Sequence, residues 1–220
     1  MRLVHQGLAP LLARTSFARH AVVHILVDMA DADDWRTAVP NTLTLGRVVA
    51  IPFLVGAFYV RAQSKAATQA PAAIFAACAA TDWFDGYLAR RWEVSSTLGS
   101  FLDPVADKLL VCTCLVLLSG ALGAIVAVPT AIIVCREVAV SALREWMGAR
   151  GQSAAVAVGW WGKVKTATQM TALLLLLLAR PGEAALLNAG LLLLYVATVL
   201  TCTSASGYAT AAWPLLRDSA

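Results

Sequence analysis

Charge is scarce in this sequence: 14% of its 220 residues are Asp, Glu, Lys or Arg, against 60% that are hydrophobic. A soluble domain has about 25% charged and about 45–50% apolar residues. A water-exposed globule is therefore excluded, and a polytopic membrane protein of one domain is expected. Histidine is missing after position 24, the three in the chain being His5, His20 and His24. Any chemistry in the apolar region falls to carboxylates, lysines and arginines, and His-based triads drop out. Cysteine lacks metal-ligand spacing: Cys78, Cys112, Cys114, Cys135 and Cys202 sit among apolar residues, and Cys112-Thr-Cys114 is not C-x-x-C. These read as small buried hydrophobes rather than a zinc site. The net charge of +4 is small, and no soluble body is left on which to mount a nucleic-acid-binding face.

Acidic residues are also missing from the first 27 positions, which hold Arg2, Arg14 and Arg19 with Thr15 and Ser16. Such a leader reads as a transit peptide or as an interfacial helix on an anionic membrane, and composition does not separate the two. Asp28, Asp31, Asp33 and Asp34 then make residues 28–40 a polar linker. The expected organisation is a leader over 1–38, a membrane domain over 39–210 and a short C-terminal tail over 211–220. Hydropathy predicts an all-α integral membrane protein with six transmembrane helices, at about 43–61, 70–90, 102–120, 124–148, 163–180 and 184–207, each near the ~20 residues that cross a bilayer. Ser119-Gly120 with Gly123, and Arg180-Pro181-Gly182-Glu183, supply tight turns. On one side the predicted connections hold only Arg61, Lys65 and Arg180 of the 17 basic residues. The positive-inside rule then puts both termini on the inner side.

Against this apolar background stand four carboxylates, Asp82, Asp85, Asp103 and Asp107. Asp82 and Asp85 are three apart, about 60° around a helix, and Asp103 and Asp107 are four apart, about 40°. Two adjacent helices joined by a short loop would aim all four at one point on the inner side. Gly86 and Ala89 lie one turn above Asp82 and Asp85 and leave room for a bulky ligand. A bare cluster is costly, since even one buried ion carries a desolvation penalty of several kcal/mol. Two divalent cations would cancel the charge, and oxygen ligands without His or Cys select hard ions, Mg²⁺ or Mn²⁺. The bland alternative pairs the acids with Arg90, Arg91 and Lys108, but intramembrane acids at helical spacing default to function.

Asp82-x-x-Asp85-Gly86-x-x-Ala89-Arg90, then eight residues, then Gly99-x-x-x-Asp103-x-x-x-Asp107 resembles the signature of the CDP-alcohol phosphotransferase family, with every position filled. The resemblance covers residues 39–207. It implies a six-helix membrane fold, often a homodimer, in which two divalent metals grip the pyrophosphate of a CDP-linked donor. It further implies that Asp82, Asp85 and Asp103 are metal ligands and that Asp107 is both the general base and a metal ligand. The CDP moiety would be met by Asp82, Gly86, Ala89, Arg90 and Gly99.

Three further segments resemble the phosphatidylglycerophosphate synthases of that family: Pro40–Arg47, Arg136-Glu137 with Ser141–Trp146, and Gly162–Met170. The run after Arg47 and the Gly162–Met170 segment look plant-like, algal-like and cyanobacterial-like. With the leader this favours a mitochondrial or plastid membrane, a bacterial inner membrane being the alternative. The resemblance implies CDP-diacylglycerol and glycerol 3-phosphate as substrates, among membrane lipids and without nucleic acid. Arg136, Arg144, Lys163 and Lys165 are the expected cations for the acceptor phosphate. The bland reading makes them interfacial anchors, above all Arg150. Glu137 is expected to neutralise Arg136, and Trp160-Trp161 reads as an interfacial aromatic pair. Rival readings are a cardiolipin, phosphatidylinositol or phosphatidylserine synthase, which differ in acceptor, and more remotely a cation or proton transporter. Transport would spread acids through the membrane depth; here they gather at one edge.

Overall fold

The structure, a computed structural model, describes residues 35–63, 69–92, 97–148 and 160–217. Among these residues it contains six α-helices and no strand: α1 Trp35–Gln63, α2 Ala70–Trp92, α3 Thr97–Leu122, α4 Ala124–Gly148, α5 Trp160–Leu178 and α6 Ala184–Arg217. Helix is the form that satisfies every backbone amide within its own segment, which hydrocarbon demands. Stretches Thr42–Ala62, Leu102–Leu122, Ala124–Gly148 and Ala184–Ser204 are long and apolar enough to cross a membrane. The chain is thus an all-α integral membrane protein. Helices α2 and α5 hold charge at one end: Asp82, Asp85, Arg90 and Arg91 close α2, and Lys163 and Lys165 open α5.

The bounds of α4 match the hydropathy reading, whereas α1 and α6 overrun theirs. Helix α1 begins at Trp35, so residues 35–40 are helical rather than linker, and α6 continues to Arg217. At 1.5 Å per residue the 34 residues of α6 are about 51 Å long, well past ~30 Å of hydrocarbon. Hydropathy marks the apolar run, but the hydrogen-bond ladder continues beyond it. Of the leader expected over 1–38, residues 1–34 lie outside the described residues and 35–38 belong to α1.

Two short connections set neighbouring helices antiparallel. Gly123 has φ 70° and its amide donates to the Ser119 carbonyl, while Gly182 has φ 94° between Arg180 and Glu183. Both conformations favour glycine, and both turns fall where the sequence put them. Helix α1 packs on α2 and α3, α3 on α4, α4 on α6, and α6 on α5. The core between them is built from Leu54, Phe75, Leu110, Ile133, Leu173 and Leu194. At the end away from the aspartates, the Arg61 guanidinium donates to the carbonyls of Leu177 and Ala179, closing the C-terminus of α5.

Helices α5 and α6 pack tightly at Gly190, where an added Cβ would lie 2.8 Å from Leu176 Cγ and 3.2 Å from its backbone nitrogen. Small residues at such crossings let membrane helices pack. Gly190→Val is expected to destabilise the protein by about 1–3 kcal/mol. A melting curve in detergent that matches wild type would show that the crossing tolerates the branch.

Candidate active site

Helix α1 brings Thr44 and Arg47, one turn apart, against the ends of α2 and α3. It packs more extensively on each of them than they pack on each other. Arg47 is fully buried. Its Nη1 donates to Asp107 Oδ1 at 2.9 Å and lies 3.3 Å from Asp82 Oδ1, while its Nη2 donates to Asp85 Oδ2 at 3.0 Å. The Thr44 hydroxyl donates to Asp103 Oδ1. One turn of α1 therefore engages all four aspartates.

This differs from two facing helices aiming four carboxylates at a single point. Among the described residues no three carboxylates converge on one position. The reason is electrostatic. Four like charges repel, and a guanidinium that donates to two and adjoins a third holds them around itself. Thr44 and Arg47 were absent from the sequence-based site. Their signal was present, since an arginine one turn from a threonine inside an apolar stretch needs a partner.

The donors nevertheless fit hard divalent cations. Asp85 is buried, and its Oδ1 has no hydrogen-bond partner. Such an orphaned carboxylate oxygen is a ready ligand. The side chains of Asp82 and Asp107 are 41% and 40% exposed, so the cluster is reachable. Gly86 lies half-buried on α2 one turn past Asp82. The side chains of Ala89 and Arg90, and the surroundings of Gly99, lie outside the described residues.

Beside the cluster, a half-open cavity of about 260 Å³ is lined by α3, α4 and α5. Asp107 and Lys108 form one wall, and Glu137, Arg144, Lys165 and Gln169 face them. Of the four cations expected to hold an acceptor phosphate, Arg144 and Lys165 line the cavity. Lys163 is exposed and outside its lining. Arg136 is also outside it, and donates to Glu137 Oε1 at 2.9 Å and to Ser204 Oγ at 2.8 Å. Glu137 does neutralise Arg136, and the same oxygen accepts from Lys165. It thereby ties α4 to α5 across the cavity. Lys108 donates to Ser141 Oγ at 2.6 Å, and Ser141 donates to the Glu137 carbonyl. Arg150 lies outside the described residues, and Trp160-Trp161 form the first turn of α5.

A carboxylate cluster around a buried arginine at one end of a helical bundle, beside a cationic cavity, defines a membrane-embedded protein equipped to handle phosphate-bearing ligands. A profile of the family described as CDP-alcohol phosphatidyltransferase matches residues 37–203. A protein of Yersinia pestis (strain Pestoides F), named CDP-diacylglycerol–glycerol-3-phosphate 3-phosphatidyltransferase, is 48% identical over 176 residues, 80% of this chain and 94% of that one. Proteins of the same name from Sodalis glossinidius and Salmonella choleraesuis are 49% identical over 175 residues, covering 79% of this chain and 94% of each. The chain belongs to the CDP-alcohol phosphatidyltransferase family, whose members generally depend on divalent cations. These three relatives are bacterial, and none of them supports the plant-like character read from the segments after Arg47 and Gly162.

Proposed function

We propose that the chain transfers the phosphatidyl group of CDP-diacylglycerol to sn-glycerol 3-phosphate, forming phosphatidylglycerophosphate and CMP. The observation that carries this reading is the shared cavity: Asp107, suited to take a proton, and Arg144 with Lys165, suited to hold a phosphate, face one space. An acceptor without a phosphate, such as serine, has no use for those cations. The names and close similarity of the bacterial relatives support the same reaction.

In this mechanism the donor's acyl chains stay in lipid and its headgroup reaches the aspartates from the inner side. Two divalent cations, Mg²⁺ or Mn²⁺, held by Asp82, Asp85, Asp103 and Asp107, would supply charge neutralisation for the donor pyrophosphate. Arg144 and Lys165 hold the acceptor phosphate and so fix the hydroxyl at its other end near Asp107. Asp107 accepts the proton of the C1 hydroxyl as its oxygen bonds to the lipid-side phosphorus. The bond from that phosphorus to the bridging oxygen breaks, and CMP departs with that oxygen. Glu137 keeps Lys165 turned into the cavity, with Arg136 and Ser204 behind it. Arg47 holds the carboxylates in register while no donor is bound.

The test is an acceptor panel. Purified protein is incubated with CDP-diacylglycerol and, separately, glycerol 3-phosphate, phosphatidylglycerol, inositol and serine, and CMP release is followed. CMP is expected with glycerol 3-phosphate alone and not after EDTA treatment. Release with another acceptor in its place would overturn the acceptor assignment, and activity that survives EDTA would overturn the metal assignment. The same reading makes the protein a homodimer, which cross-linking in native membranes examines. Imaging a fluorescent fusion of residues 1–40 distinguishes an organellar membrane from a bacterial inner membrane.

A further inference from the structure

Every polar side chain that walls the cavity has a protein partner except one. Asp107 accepts from Arg47, Lys108 donates to Ser141, Glu137 accepts from Arg136 and Lys165, and Thr166 donates to the Gly162 carbonyl. Arg144 is engaged as well. Gln169 is only 4% exposed, lines the cavity, and has no hydrogen bond to any described residue. The residue is nearly buried while its amide atoms open on the cavity, so an unpaired donor and acceptor are presented there to a ligand. Gln169 lies one helical turn past Lys165 on the same face of α5, and Val111 lies one turn past Asp107 on α3. Gln169 thus forms the floor of the cavity opposite an otherwise apolar level made by Val111, Cys112 and Met170. Its charge is neutral, so it adds nothing to phosphate attraction. Its use is to read a group that both donates and accepts.

We propose that Gln169 is a specificity residue that binds the hydroxyl adjacent to the nucleophilic one, so that the site selects a vicinal diol monophosphate over a simple alkanol phosphate. The inference rests on the acceptor reading above, in which the phosphate sits at Arg144 and Lys165 and the reacting hydroxyl at Asp107. An acceptor stretched between those ends turns its middle carbon toward the floor. There the amide of Gln169 accepts from the secondary hydroxyl through its oxygen and donates to it through its nitrogen. An acceptor lacking that hydroxyl leaves the buried amide unpaired, which is the arrangement that makes polar sites reject deoxy analogues.

The experiment compares two acceptors in the same preparation: sn-glycerol 3-phosphate and 3-hydroxypropyl phosphate, which lacks only the secondary hydroxyl. Wild type is expected to favour glycerol 3-phosphate by about 10- to 100-fold in kcat/KM, the size of one unmet buried polar group. In Gln169→Met, which keeps the volume and removes the polar atoms, the ratio is expected to fall to within about threefold of unity. A ratio of rates from one preparation does not depend on how much of the variant folds. The inference is overturned if wild type turns over both acceptors equally, or if the variant keeps the wild-type preference. If wild type releases no CMP with glycerol 3-phosphate, the acceptor reading falls and this inference falls with it. If wild type uses glycerol 3-phosphate but the ratio ignores Gln169, only this inference is lost.

Discussion

Asp107→Asn is expected to lower CMP release by about 10²–10⁴-fold, the range that a positioned general base contributes. Asparagine keeps the shape and can still accept a hydrogen bond from Arg47, but it cannot take a proton from the acceptor. Arg47 keeps its 3.0 Å contact with Asp85 in the variant, so the ends of α1 and α2 stay joined. Donor binding, measured with CDP-diacylglycerol in nanodiscs, should change little by comparison. The discriminating outcome is therefore a split, with turnover lost and the donor retained. Turnover within a few-fold of wild type would sink the base assignment. Equal loss of donor binding and turnover would make Asp107 chiefly a donor-site residue.

The second large effect is expected at Arg47, and it is read in stability as well as rate. Arg47→Met removes a fully buried cation from contact with three carboxylates. Breaking a buried ion pair costs about 3–5 kcal/mol because the remaining charge is uncompensated. That figure applies to the pair with buried Asp85. The pairs with Asp82 and Asp107 are about two-fifths exposed and contribute about 0–1 kcal/mol each after solvent screening. A net loss of about 3–7 kcal/mol is expected in cation-free buffer, seen as a lower melting temperature. Adding excess Mg²⁺ should narrow the gap to wild type, since a divalent ion among the same carboxylates replaces the missing charge. A variant that melts with wild type in cation-free buffer would show that the arginine is a bystander.

The helices were legible where the physics is local. A glycine forced to positive φ marks Gly123 and Gly182 as turns, and both were readable as Gly-containing breaks in apolar runs. The bounds of α4 followed because its apolar run and its hydrogen-bond ladder end together. They do not end together in α1 and α6, where helix continues past the hydrocarbon and hydropathy falls silent. The four aspartates were legible because helical spacing in an oily chain is informative. Their arrangement was not, because it depends on pairings 38 and 60 residues apart, Arg47 with Asp85 and with Asp107. Spacing on α2 and α3 cannot say that α1 lies between them. The acceptor cations divide for a similar reason. Arg136, Arg144, Lys163 and Lys165 look alike in sequence, but the depth and rotation of α4 and α5 put two of them in the cavity and leave two out. Gln169 was passed over because a neutral amide within "KTATQM" gives no charge signal, and its unpaired state exists only in the packed molecule.

The clamp of Arg61 on the last carbonyls of α5 lies at the opposite end of the bundle from Arg47 and the aspartates. The bundle therefore carries its carboxylates at one end and the capped carbonyls of α5 at the other. A lipid headgroup made at the aspartate end leaves into the leaflet on that side. Each turnover on this reading exchanges one anionic headgroup for another within one leaflet and leaves the number of lipids there unchanged. The opposite face of the membrane then receives the product only by separate transbilayer movement.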